Sequence, residues 1–116
     1  MSTKKQVKAK LQEMVDRLDG AGEDVQRGLA RALANPRTIQ IEVTDLDVFY
    51  WTKLEGGRMG ALKEGSAPSV DIRMRAKSDD LIAMIDGELG LMSSFLSGRV
   101  RIDASLSDLM ALRKLA

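Results

Sequence analysis

The chain has no histidine and no cysteine among its 116 residues. That absence removes thiol nucleophiles, disulfides, zinc-finger ligand sets, Ser-His pairs and imidazole proton transfer from consideration. Neither sign of charge is in excess: 18 Lys and Arg stand against 17 Asp and Glu, a formal net charge of +1. A nucleic-acid partner held by a broad basic field is therefore not expected. Long apolar runs are missing too. The longest is five residues, Leu81 to Ile85, against the roughly 20 that a bilayer-spanning helix needs. The cations of the segment from Met1 to Val7 are not followed by an apolar stretch with a cleavage signature, so no secretory signal is read there. A soluble chain is expected, and the lack of cysteine is compatible with the cytoplasm. There are only two prolines, Pro36 and Pro68, and no low-complexity stretch or repeat. Residues 1–116 thus read as a single domain with one modest core.

What is present is aliphatic. Four aromatic residues, Phe49, Tyr50, Trp51 and Phe95, stand against fifteen leucines and seven methionines, so the interior is made of flexible aliphatic side chains. Ser2 or Thr3 is placed to cap a helix whose apolar positions Val7, Leu11, Met14 and Leu18 recur at helical spacing up to Gly20. Val25, Leu29, Ala32 and Leu33 mark a second helix, ended at Asn35-Pro36 because the residue before a proline avoids the helical region. Ile39, Ile41 and Val43 then alternate with Thr38, Gln40 and Glu42, the period of a half-buried strand, and Asp45-Leu46-Asp47 turns it. Val48 to Glu55 is a second strand, and Gly56-Gly57 returns it as a hairpin into Arg58 to Lys63.

After a loop from Glu64 to Ser69, Val70, Ile72, Met74 and Ala76 alternate with Asp71, Arg73 and Arg75, giving a fourth strand with one dry and one charged face. Ser78, with Asp79 and Asp80, is expected to cap a short helix carrying Leu81, Ile82 and Ile85 that stops at Gly87. Leu91 to Ser97 is another short helix, ended by Gly98, and Arg99 to Ser105 a fifth strand. Ser105 or Ser107 caps a last helix whose Leu106, Leu109, Met110, Leu112 and Leu115 cover a wide apolar arc. This order of elements is α+β with an antiparallel hairpin meander.

From Ser69 onward the sequence resembles the sterol carrier protein-type lipid-binding domain family. The residues that carry the resemblance are Asp71 at the head of a strand, Gly87 at the end of a helix, Phe95 and Gly98 closing a short helix, Val100 and Ile102 in a basic-apolar strand, and Leu109 and Leu112 in a C-terminal amphipathic helix. The resemblance implies a five-stranded, mostly antiparallel sheet covered by helices, with an apolar cavity between them. It also implies non-enzymatic binding or transfer of a fatty acid, acyl-CoA or sterol, with no cofactor and no metal. The expected lining is Met74, Leu81, Met84, Ile85, Met92, Phe95, Leu96, Ile102, Leu109 and Met110, closed by the helix from Leu106 to Leu115. Methionine suits such a lining because its unbranched, polarizable chain repacks around ligands of different shape. Burial of ten methylenes at about 0.8 kcal/mol each gives roughly 8 kcal/mol before the cost of association, enough for micromolar binding without a reactive group.

A second reading stays open at this point. The same apolar residues packed as an ordinary filled core would make an interaction or dimerisation module, because a small domain must bury them in any case. Lys4, Lys5, Lys8 and Lys10 at the start of the first helix oppose its dipole. They suggest transient contact with an anionic membrane surface, although Glu13 and Asp16 follow at once. Arg99 and Arg101, alternating with Val100 and Ile102, read as a solvated sheet face. Asp79-Asp80 and Asp45 with Asp47 are accounted for by capping and turn formation rather than by acid/base or magnesium chemistry. Ser93, Ser94 and Ser97 have no histidine to activate them.

Overall fold

Alternation along the strands decides which face of the sheet is dry. The computed structural model describes residues 2–19, 23–32, 35–56, 58–88 and 91–112. The order of elements is α1 (Lys4–Asp19), α2 (Glu23–Ala32), β1 (Arg37–Val43), β2 (Val48–Glu55), β3 (Arg58–Met59), β4 (Lys63–Glu64), β5 (Ile72–Ala76), α3 (Ser78–Ile85), α4 (Leu91–Leu96), β6 (Val100–Asp103) and α5 (Leu106–Leu112). The expected helix-ending Gly20, the helical Leu33, the turn residue Gly57 and the terminal Leu115 lie outside the described residues.

The strands form one sheet in the order β3-β2-β1-β5-β6, with β4 also on β2. β1 and β2 are antiparallel, as are β5 and β6, whereas β1 and β5 run parallel. The sheet is therefore mixed, with its parallel pair in the middle. The expected third strand, Arg58 to Lys63, is split in two. Leu54 pairs with Met59, but Trp51 pairs with Lys63, so the returning arm holds one more residue than β2 between the two pairs. This is a bulge. It is held by the Gly60 N–H, which donates to the Lys53 carbonyl at 2.8 Å, and by the Thr52 hydroxyl, which donates to the Gly60 carbonyl at 2.9 Å. Since β3 and β4 share one edge of β2, the sheet still has five strand positions.

The registers stack the apolar residues in rows. Val48, Val43, Ala76 and Val100 make one row, Tyr50, Ile41, Met74 and Ile102 a second, and Thr52, Ile39 and Ile72 a third. All of these are buried. α1 covers them with a stripe of buried residues four apart, Val7, Leu11 and Val15, with Met14 partly buried beside it. Thr3, rather than Ser2, caps this helix: its hydroxyl accepts from the Gln6 N–H at 3.2 Å, and the Gln6 side chain accepts from the Thr3 N–H at 2.8 Å. Of the expected apolar positions on this helix, the Leu18 side chain lies outside the description.

α3 lies alongside α1 and adds Leu81 and Ile85 to the core. An Arg17 guanidinium nitrogen of α1 donates to the Ile85 carbonyl at 2.9 Å, satisfying an orphan acceptor at the end of α3. The helix stops at Gly87, whose φ of +84° permits two reversing bonds, from the Gly87 N–H to the Met84 carbonyl and from the Glu88 N–H to the Ala83 carbonyl.

The start of α3 differs from the expected cap. Lys77 holds the capping position without a side-chain bond, and Ser78 is already inside the helix. The Ser78 hydroxyl and N–H both donate to Asp45, at 2.6 and 2.8 Å, across 33 residues of sequence. The parallel register is the reason. It pairs Val43 with Ala76, and the same offset two residues further on brings Asp45 beside Ser78. Partial burial acts to raise the Asp45 pKa, but the two bonds from Ser78 outweigh it and leave the carboxyl below its ordinary value.

Candidate functional site

The far side of the sheet from α1 and α3 carries the other half of each alternation. Gln40, Glu42, Arg73, Arg75, Arg101 and Asp103 belong to it, together with the half-buried Phe49 and Trp51. The seven residues between β4 and β5 return along this side, where the buried Gln40 side chain accepts from the Ala67 N–H at 2.9 Å. At the start of the parallel pair, Asp71 accepts from the Thr38 N–H at 2.8 Å and donates its own N–H to the Thr38 carbonyl at 3.0 Å. The aromatic run at the head of β2 is thereby divided. Tyr50 is fully buried in the core, whereas Trp51 lies on the outer face with the Lys63 ammonium 4.8 Å from its ring centroid.

A cleft of about 660 Å³ lies at the β5 and β6 end of the sheet. Its apolar wall comes from Phe49, Met74, Phe95, Val100 and Ile102, and its polar wall from Gln40, Glu42, Arg73, Arg75, Arg101 and Asp103. Residues of both strand faces contribute because β6 is an edge strand, and the short helix α4 leads into it through Ser97-Gly98. The φ of +79° at Gly98 lets the chain reverse there. A second cleft, of about 390 Å³, shares Arg75, Gly98 and Arg101 with the first and adds Lys77, Asp80 and Arg99.

The expected lining residues do not all come together. Met74, Phe95 and Ile102 border the larger cleft. Leu81 and Ile85 are packed in the core, with Met84 and Leu109 partly buried against it. Leu96 and Met110 face outward, 77% and 51% exposed, as does Leu106 at 75%. The helices that carry them are short, and each buries only one side. The Met92 side chain lies outside the description. The charged wall of the cleft went unrecognised as lining in the sequence because its members come from three strands. The alternation of Arg73, Arg75, Arg99 and Arg101 was the available signal, and strand pairing was needed to join them.

α5 is fastened from two sides. Ser105 caps it, accepting from the Asp108 N–H at 3.2 Å. The largely buried Asp108 carboxylate accepts from Arg37 Nε at 3.0 Å, tying the helix to the head of β1. α2 packs against α5 as well. Two of the four N-terminal lysines are held by acids, Lys4 by Glu64 at 2.9 Å and Lys10 by Asp86 at 2.5 Å. They join α1 to β4 and to the end of α3. The Tyr50 hydroxyl is buried without a hydrogen-bond partner; burial pushes its pKa up, and the charge of Glu64 adds to the shift. Among the described residues no cluster of acidic side chains is arranged to hold a metal ion, and no helix is long and apolar enough to cross a membrane.

Comparison with known proteins places this geometry in context. The model of the SCP-2 sterol transfer family matches residues 4–116. No curated protein sequence matches the chain. Among solved structures, the UbiJ-SCP2 ubiquinone synthesis protein aligns over 99% of this chain and 92% of its own, with 15% identity and a TM-score of 0.65. The palmitated SCP2L2 of Aedes aegypti aligns over 91% of this chain and 89% of its own, with 12% identity and a TM-score of 0.62. The stereoselective inverting sec-alkylsulfatase of Pseudomonas sp. aligns over 75% of this chain, with 20% identity and a TM-score of 0.59, but the match spans only 14% of the sulfatase. At these identities the likeness to the solved structures is one of fold.

Proposed function

Since the chain belongs to the SCP-2 sterol transfer family, we propose that it is a non-enzymatic carrier of an apolar ligand such as a fatty acid, acyl-CoA or sterol. The observation that carries this reading is the cleft of about 660 Å³ bordered by Met74, Phe95 and Ile102. Its size lies within the range of about 300–1,000 Å³ usual for small-molecule sites. Met74 and Ile102 belong to the core and Phe95 packs against it, so an acyl chain that parts them gains apolar contact. Met74 supplies adaptable surface. α5 serves as the closing element in this reading, with Leu109 turned inward and Leu106 and Met110 available to follow a ligand. The palmitated Aedes aegypti relative lends support for an acyl chain as the ligand class.

Displacement of a fluorescent fatty acid tests the proposal. Wild-type protein is expected to bind it with micromolar affinity. Phe95→Asp should abolish uptake, with the melting temperature measured alongside to separate lost binding from lost folding. Met74→Trp, which fills the cleft without adding charge, should weaken uptake by about tenfold, the loss of roughly 1.4 kcal/mol. A folded wild-type protein that neither displaces the fluorophore nor carries lipid by native mass spectrometry would sink the carrier reading and leave the interaction module in its place.

A further inference from the structure

The outer face of β5 and β6 holds a charge arrangement that an apolar carrier does not require. Their antiparallel register sets Arg73 opposite Asp103, and Arg75 opposite Arg101. The next alternate positions along the two chains are Lys77 and Arg99. The first pair is compensated, whereas Arg75 and Arg101 are like charges, which destabilise an antiparallel ladder when they stand directly across from each other, and Lys77 and Arg99 add further positive charge just beyond the paired residues. The neighbouring pair shows that the same ladder accommodates a carboxylate at this kind of position. Around the cationic end, Glu42 approaches Arg75 Nε at 3.3 Å, and Asp80 borders the smaller cleft. Among the described residues no carboxylate lies within ion-pair distance of Lys77, Arg99 or Arg101. The smaller cleft, of about 390 Å³, is lined by Arg75, Lys77, Arg99 and Arg101 together, so positive charge remains in excess after Glu42 and Asp80 are set against it.

We propose that this cleft binds a phosphate-bearing anion through Arg75, Lys77, Arg99 and Arg101, and that the anion is the head group of a phosphorylated amphiphile. The guanidinium fork matches pairs of phosphate oxygens, and the lysine adds a mobile point charge. The excess of two positive charges fits a phosphate dianion, whereas a carboxylate would leave one of them uncompensated. The amphiphile follows from the shared wall. Arg75 and Arg101 border both clefts, and the larger one continues to Met74 and Phe95, so a head group in the smaller cleft has apolar surface beside it for a tail. The proposal rests on the carrier reading for the tail alone; the anion site stands on the charge arrangement.

The test uses three compounds on the full chain by isothermal titration: inorganic pyrophosphate, a lysophosphatidic acid, and the monoacylglycerol of the same chain length, each lipid below its micellar concentration. The double substitution Arg75→Gln with Arg101→Gln is expected to weaken pyrophosphate and lysophosphatidic acid by about tenfold or more, the loss of one or two charge-assisted bonds, and to weaken monoacylglycerol, which offers the two arginines no anion, by a clearly smaller factor. Pyrophosphate binding that depends on the two arginines, with equal affinity for the two lipids, would keep the anion site and overturn its assignment to a lipid head group. Pyrophosphate binding that is absent, or indifferent to the substitutions, overturns the site itself. Failure of wild-type protein to take up monoacylglycerol would count against the carrier reading, while the pyrophosphate arm still decides the anion site. A second variant checks the repulsion without any ligand: Arg101→Glu, which reproduces the neighbouring Arg73 and Asp103 arrangement, should raise the melting temperature, and a fall would remove the premise.

Discussion

The two faces of the sheet are made by the same strands and behave as different materials. On the face covered by α1 and α3, the rows through Tyr50, Ile41 and Met74 and through Val43 and Ala76 are closed to water. Stability there comes from apolar burial and close packing, which respond to the loss of single methylenes. On the opposite face Arg73, Arg75, Arg101 and Asp103 are exposed, Glu42, Phe49 and Trp51 are partly buried, and Gln40 is buried. Interactions there are screened and individually small, which leaves the face free to carry charge patterns that serve binding rather than folding. The contrast teaches that a one-residue step along β5, from Met74 to Arg75, passes from the packed core to a charged face open to solvent.

The largest effect that would break this comparison is in the core. Leu11→Ala should lower stability by about 3 kcal/mol, the transfer loss plus a cavity, while Arg73→Ala on the outer face should change it by less than about 0.5 kcal/mol; urea denaturation of both proteins reads the difference. Comparable losses would mean that the outer face is structural. Next comes the bond that fastens α5. Asp108→Ala leaves Arg37 without its carboxylate and should cost about 2 kcal/mol, with hydrogen exchange rising in α5 ahead of β1.

A smaller loss is expected from Asp45→Ala, about 1 kcal/mol at neutral pH, as for removal of a helix cap. Because folding lowers the Asp45 pKa, its contribution is complete above the ordinary carboxylate pKa and disappears as the pH falls through the lowered value. The melting temperatures of wild type and variant should therefore converge in acid. The smallest effect has the opposite sign. Tyr50→Phe removes a buried hydroxyl that lacks a partner and should leave stability unchanged or raise it by up to about 1 kcal/mol. A clear loss would show that a bound molecule satisfies that hydroxyl.

Much of the fold was legible along the chain. The alternation of Ile39, Ile41 and Val43 and of Ile72, Met74 and Ala76 identified both strands of the central pair and their dry faces, since the strand period of two is a local property. Gly87 and Gly98 marked the ends of α3 and α4, where both adopt positive φ. The third strand was read as continuous although Gly60 inside it was the available signal of a bulge; the extra residue is fixed only when Met59 and Lys63 are both registered against β2. The candidate site was legible in a smaller part. Met74, Phe95 and Ile102 were named from their apolar character and border the cleft, but Leu96 and Met110 look the same in sequence and face outward. Apolar character says that a side chain prefers burial, and on a helix of six or seven residues only one side can have it.

The sequence by itself determined the kinds of elements and their order, the dry face of each strand, the absence of imidazole and thiol chemistry, and the resemblance to a lipid-binding family. These are matters of composition and of spacing within a few residues. The tertiary structure alone decided that β5 runs parallel to β1, and from that single pairing follow the capping of Ser78 by Asp45 and the central place of the charged face. It also decided that Arg75 faces Arg101. Both arrangements join residues about 25 to 35 positions apart, whose approach depends on loop closure and on burial of the rows beneath them, and no local pattern in the chain records that distance.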